Sequence, residues 1–112
     1  MVARQRDVWL AQVPFMDSGE SKRRPVLVIT GTVFNSQQPH VLAMSITTNL
    51  DNPLPGISLA ADDFEAGGLP RASRVLTSIV FPIPRDQLQY SEGRLATRAF
   101  QQVVGQLLEA LH

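Results

Sequence analysis

Apolar positions in this chain follow two periods. As far as residue 83 they come in short runs of strand length, and from Arg94 they return every three or four residues. Residues 7–15, with Val8, Trp9, Leu10 and Val13, predict a short strand that Pro14 ends. Residues 25–33 are almost continuously apolar and rich in β-branched Val26, Val28, Ile29, Thr30 and Thr32, the pattern of a strand buried on both faces. Residues 40–48 form a third strand: Val41, Leu42, Met44 and Ile46 face a core, and Ser45, Thr47 and Thr48 gather at its end. Residues 57–60 predict a short strand. Residues 73–83 predict the last one, with Pro82 and Pro84 placing its far end at an edge or outside the ladder. Residues 15–24 read as an opening loop, 34–39 as a turn, and 49–56 and 62–70 as irregular stretches dense in Pro, Gly, Asn and Asp. Residues 86–88 suggest one helical turn. From Arg94 to Leu111 the helical spacing predicts one amphipathic, core-facing helix, weakened by about 1 kcal/mol at Gly105. Five strands closed by a helix make the fold mainly β with a C-terminal α-helix, a small antiparallel barrel. With no repeat and no linker, residues 1–112 are expected to be one domain.

Composition agrees with a packed core. Of 112 residues, 44% are hydrophobic and 18% charged. Cysteine is absent, which rules out disulfides and thiolate metal sites and suits a reducing cytoplasm. There is no apolar run of membrane-spanning length, and Met1 to Asp7 lack the apolar segment of a secretion signal, so no membrane partner is expected. His40 and His112 are too far apart to suggest metal-ligand spacing, and neither a metal nor a cofactor is expected. Net charge is zero, which is neutral on nucleic acid, because Lys22, Arg23, Arg24, Arg71 and Arg74 still concentrate positive charge locally.

The candidate chemistry is an arginine near hydroxyls. No glycine-rich phosphate loop is present, no histidine is placed to serve a serine, and Asp62 with Asp63 reads as a solvated loop. Lys22-Arg23-Arg24 hold three of the ten basic residues and lead directly into the strand Pro25-Val26-Leu27-Val28-Ile29. If the second and third strands pair as a hairpin, Arg24 and Thr47 become neighbours at its open end. A guanidinium fork and a hydroxyl suit the charge of a phosphorane. RNA supplies its own nucleophile, the 2′-hydroxyl, and arginines can carry the charge without a metal. Spacing alone also fits an ordinary surface arginine beside β-forming threonines.

The motifs taken together resemble the MazF/PemK family of toxins from bacterial toxin–antitoxin pairs. The resemblance lies in Arg6-Asp7-Val8-Trp9, in Ser21-Lys22-Arg23-Arg24-Pro25-Val26-Leu27-Val28-Ile29, in Ala43-Met44-Ser45-Ile46-Thr47-Thr48-Asn49, in Ser73-Arg74-Val75-Leu76 and in the closing helix. It implies an SH3-like or CcdB-like barrel and a homodimer. The implied activity is a sequence-specific, metal-independent endoribonuclease that cuts single-stranded mRNA by 2′-hydroxyl attack, leaving a 2′,3′-cyclic phosphate and a 5′-hydroxyl. It also implies control by a MazE-like antitoxin, and contact with DNA only through that antitoxin. The family's catalytic arginine falls on Arg24 and its threonine on Thr47, with Glu20 as the candidate base. Expected RNA contacts are Lys22, Arg23, Ser45, Thr48, Asn49, Phe15 and Ser18, with Arg71 and Arg74 as further phosphate contacts. Specificity is expected from residues 15–23 and 49–56.

Two departures stand out. The family has glycine between arginine and acid at the first strand, where this chain has Arg6 before Asp7. The last strand reads Thr77-Ser78-Ile79-Val80-Phe81-Pro82, without the charged residues some members use. Two alternatives remain: a CcdB-like gyrase poison, which needs an exposed apolar C-terminus, and a non-catalytic RNA-binding barrel. For the latter, aromatic content of 6% leaves few stacking platforms; Trp9 and Phe15 are candidates, though core packing suits both.

Overall fold

The computed structural model describes residues 2–14 and 21–112. Within them the elements run β1 (Asp7–Pro14), β2 (Ser21–Val28), α1 (Thr32–Gln37), β3 (His40–Thr47), β4 (Gly56–Leu59), β5 (Phe64–Gly67), β6 (Ser73–Pro84), β7 (Leu88–Leu95) and α2 (Thr97–Ala110). The strands make one antiparallel sheet in the order β4-β6-β3-β2-β1-β7-β5. The two edge strands, β4 and β5, are consecutive in the chain and joined by the 3₁₀ turn Ala61–Asp63. The sheet therefore curls into a half-barrel, and α2 packs onto it.

Side-chain alternation gives this sheet two buried faces. On one, Val8, Leu27, Met44, Ile46, Val75 and Leu95 pack with Ala99, Phe100 and Val103 of α2. On the other, Trp9, Ala11, Val26, Val28, Val41, Ala43 and Ile83 pack together. Both sides of β2 are covered, which is why its apolar run does not alternate. Trp9 is a core residue here, with its Nε1 donating to Asp7 Oδ2 at 3.3 Å.

Several predicted boundaries move. β2 starts at Ser21, so Lys22, Arg23 and Arg24 belong to a strand and not to a loop. It ends at Val28, and Thr32 and Val33 open α1 where a strand and turn were expected. Asn35 explains the change. Its side chain is fully buried and donates to Ala3 O at 2.8 Å and Thr30 O at 3.0 Å, and this long-range anchor overrides β-propensity.

β5 and β7 were not predicted. β5 has only four residues, and β7 (Leu-Gln-Tyr-Ser-Glu-Gly-Arg-Leu) has little apolar alternation; pairing with β1 and β5 makes it a strand. That pairing also takes Arg94 and Leu95 out of the expected helix. The helical turn expected at 86–88 is the 3₁₀ turn Arg85–Gln87. The end of α2 departs too, since Leu108 and Leu111 are 52% and 72% exposed.

Pro82 and Pro84 stand opposite Leu42 and His40 in β6. The main-chain groups of Leu42 turn towards β2, so the Pro82 pair needs no N–H. β4 ends opposite Leu76, leaving this stretch at an edge on its other side.

The missing glycine has a physical counterpart. Asp7 N donates to Arg4 O at 3.0 Å, closing a turn whose third residue, Arg6, sits at φ 77°. That is the position a type II turn reserves for glycine. Arg6 is held there by Nη1 bonds to Glu65 Oε1 and Leu95 O, both at 2.7 Å. Arg6→Gly and Arg6→Ala lose the same side-chain tethers, so they differ mainly in left-handed strain. The glycine variant is expected to be more stable than the alanine variant by about 1 kcal/mol in urea unfolding. Equal stabilities would contradict a strained turn.

Candidate functional site

The face carrying Val28 and Val26 on β2, and Val41 and Ala43 on β3, continues past the core. The register pairs Val28 with Ala43 and Val26 with Ser45. The paired register ends there, and two residues further along each chain stand Arg24 and Thr47, on the same face by alternation. Arg24, Ser45 and Thr47 all line a cavity of about 700 Å³. β2 and β3 pair antiparallel as expected, though joined through α1 and not by a turn alone, and Arg24 is half-buried at the cavity.

The cavity owes its opposite wall to β6. Met44 pairs with Val80 and Ile46 with Val75, so Ser45 alone faces the stretch 76–79. Such a bulge bends a strand away from its partner and commonly opens a site. Leu76, Ile79, Val80, Phe81 and Pro82 give the cavity an apolar wall, and exposed Ser78 adds a hydroxyl. The strand that lacks the family's charged residues still shapes the cavity. Thr77 turns the other way, its buried Oγ1 donating to Gln106 Oε1 of α2 at 2.6 Å. Thr47 Oγ1 accepts from Asn49 N at 3.1 Å, which leaves its hydroxyl hydrogen for an acceptor in the cavity.

The predicted basic cluster divides. Lys22 shares the face of Arg24 by alternation. Arg23 points to the opposite face, where its Nε donates to Gln89 Oε1 at 2.7 Å across β1. It is therefore not gathered with Arg24. Arg71 is exposed beside a second, smaller cavity near Leu69 and Pro70, away from Arg24. Arg74 donates Nη1 to Asn52 O at 2.6 Å and Nη2 to Leu54 O at 3.2 Å, so its fork is engaged by protein carbonyls rather than presented to phosphate. Thr48 and Asn49 are exposed at the end of β3. Phe15, Ser18 and Glu20 lie outside the described residues. Burial pushes the Glu92 carboxyl up, but Glu92 lies on β7, outside the lining of this cavity. The sequence reading did not single out Asn52, Ser78 or the apolar wall. Specificity was expected from 49–56 without singling out Asn52, whose carbonyl accepts from Arg74 across the fold.

The profile of the family described as PemK-like, MazF-like toxin of type II toxin–antitoxin systems matches residues 4–111. Among curated proteins none matches the chain. Solved structures share the fold. The Mycobacterium tuberculosis toxin MazF-mt6 has a TM-score of 0.75 at 24% identity, covering 95% of this chain and 96% of its own. MazF from Deinococcus radiodurans has a TM-score of 0.77 at 20% identity, covering 99% and 97%. An endoribonuclease in complex with its cognate antitoxin, from a mycobacterial species, has a TM-score of 0.72 at 16% identity, covering 98% and 93%.

Proposed function

This chain belongs to the PemK-like, MazF-like family of type II toxin–antitoxin toxins, and from that premise we propose that it is a sequence-specific, metal-independent endoribonuclease of single-stranded mRNA. The observation that supports the reading is that Arg24, Ser45 and Thr47 line one cavity. The 2′-hydroxyl of the substrate attacks the adjacent phosphorus and loses its proton to a base, for which Glu20 is the candidate. The bond from phosphorus to the 5′-oxygen breaks, and that oxygen takes up a proton. The products are a 2′,3′-cyclic phosphate and a 5′-hydroxyl. Arg24 neutralises the extra negative charge of the phosphorane and is the candidate proton donor to the leaving oxygen. Thr47 donates its hydroxyl to a phosphate oxygen. Lys22, on the same face, steers the RNA backbone. The protein acts as a cytoplasmic homodimer restrained by a MazE-like antitoxin, as the complex of the mycobacterial endoribonuclease with its cognate antitoxin suggests, and it meets DNA only through that antitoxin.

The purified protein is expected to cut a long single-stranded RNA in EDTA and to leave 5′-hydroxyl ends. One observation favours a second reading. Gyrase poisoning of the CcdB kind needs an exposed apolar C-terminus, and Leu108 and Leu111 supply exposed apolar side chains there. A gyrase supercoiling assay on the same preparation separates the two. Inhibited supercoiling with every RNA intact would overturn the ribonuclease reading.

A further inference from the structure

The loop 48–55 between β3 and β4 brings Asn52 into the lining of the Arg24 cavity. Local bonds shape this loop: Asn49 Oδ1 accepts from Asp51 N at 3.1 Å and Asn52 Oδ1 from Leu54 N at 3.0 Å. They do not fix it to the barrel. Its end is tied to β6 by Thr77 N, which donates to Pro55 O at 3.2 Å, and the stretch around Asn52 is tied by Arg74, which grips Asn52 O and Leu54 O with its two terminal nitrogens. Its main chain is pinned between two strands, opposite Thr47 of β3 and Ser58 of β4. Arg74 therefore stands on the same rung as Thr47. The chain leaving the loop passes so close that a Cβ on Gly56 would lie 2.8 Å from Arg74 Nη2 and 2.7 Å from Val75 O. Only glycine lets the loop close on the guanidinium.

We infer that Asn52 is a specificity-determining residue that reads the edge of one unstacked nucleobase, and that Arg74 is the positioning residue that holds it at the cavity. The inference rests on the endoribonuclease reading. Asn52 Oδ1 is engaged within the loop, and its Nδ2 makes no hydrogen bond among the described residues, so the carboxamide offers donors. The wall from Ile79 to Pro82 offers an apolar surface to the face of a base. Arg24 and Thr47 place the phosphate alongside. With Oδ1 engaged, a donor at this point selects the bases with a carbonyl at the purine 6- or pyrimidine 4-position, guanine O6 or uracil O4, over those with an amino group there, adenine N6 or cytosine N4.

The test is cleavage of a randomised single-stranded RNA pool in EDTA, with the cut ends sequenced. Wild type is expected to prefer guanine or uracil at one position flanking the cut. Asn52→Ala should weaken that preference about tenfold, and Asn52→Asp should move it towards adenine or cytosine. Arg74→Met should weaken the same preference while the salt dependence of RNA binding keeps its slope. A phosphate contact at Arg74 would instead lower that slope by about one, and this result would overturn the positioning role. Arg74→Lys, whose single nitrogen lacks the planar two-nitrogen fork, should fall between wild type and Arg74→Met. If Arg74→Met fails to fold in a thermal melt, Arg74→Lys and the Asn52 variants decide alone. An unchanged preference in both Asn52 variants would overturn the assignment. A wild-type protein that cuts no RNA would instead remove the endoribonuclease reading itself.

Discussion

Replacing Arg24 by alanine is expected to lower single-turnover RNA cleavage about 10³-fold. Removing one preorganised donor from a developing oxyanion costs about 10²–10³ in rate, and an arginine acting on a phosphoryl transition state is worth about 10³ or more. Arg24 is half-buried at the cavity, where water screens its charge less than at an open surface. The charge it meets appears fully only in the phosphorane, so kcat and kcat/KM should fall together. Arg24→Lys should stay at least about tenfold below wild type, because an ammonium lacks the two-pronged fork. A folded Arg24→Ala variant cutting at near wild-type rate would refute the catalytic assignment.

The largest stability effect is expected at Asp7, from the same stretch that carries the strained Arg6. Asp7 is 6% exposed. Its Oδ1 accepts from Arg94 Nε at 3.0 Å, and its Oδ2 accepts from Arg4 N at 2.8 Å as well as from Trp9 Nε1. The Arg94 side chain is only 15% exposed. Asp7→Ala strands that guanidinium with no counter-charge, and breaking a buried pair from one side costs about 3–5 kcal/mol. Small domains are stable by about 5–15 kcal/mol in total, so urea unfolding should show a large fraction of stability lost. The double variant Asp7→Ala with Arg94→Met should recover part of the loss by removing the stranded charge. A single variant losing under about 1 kcal/mol would show that the pair is not what fixes β1 to β7.

These two residues illustrate unequal legibility. Arg24 and Thr47 could be brought together from sequence only on the condition that their strands pair, because the apolar runs of those strands are plain while spacing alone equally fits an ordinary surface arginine. Asp7 was read only as part of a motif. Its partner Arg94 is far along the chain, in a strand whose pattern does not announce itself. Arg23 shows the opposite error: it adjoins Arg24 in sequence, and strand alternation turns it to the other face. Arg74 shows another, since a local concentration of charge says nothing of the carbonyls waiting for it.

Local pattern by itself determined β1, the core of β2, β3, β4, most of β6 and the helical nature of the C-terminus. Each of these follows from period or turn chemistry, both of which act between near neighbours. The tertiary structure decided α1, β5 and β7, the side to which each basic residue points, and the closing of loop 48–55 onto the cavity. Those depend on a buried Asn35, a curled sheet that brings distant segments together, and an arginine gripping carbonyls some twenty residues away. Contacts of that range are settled by packing and hydrogen-bond satisfaction over the whole fold, which no local window of sequence contains.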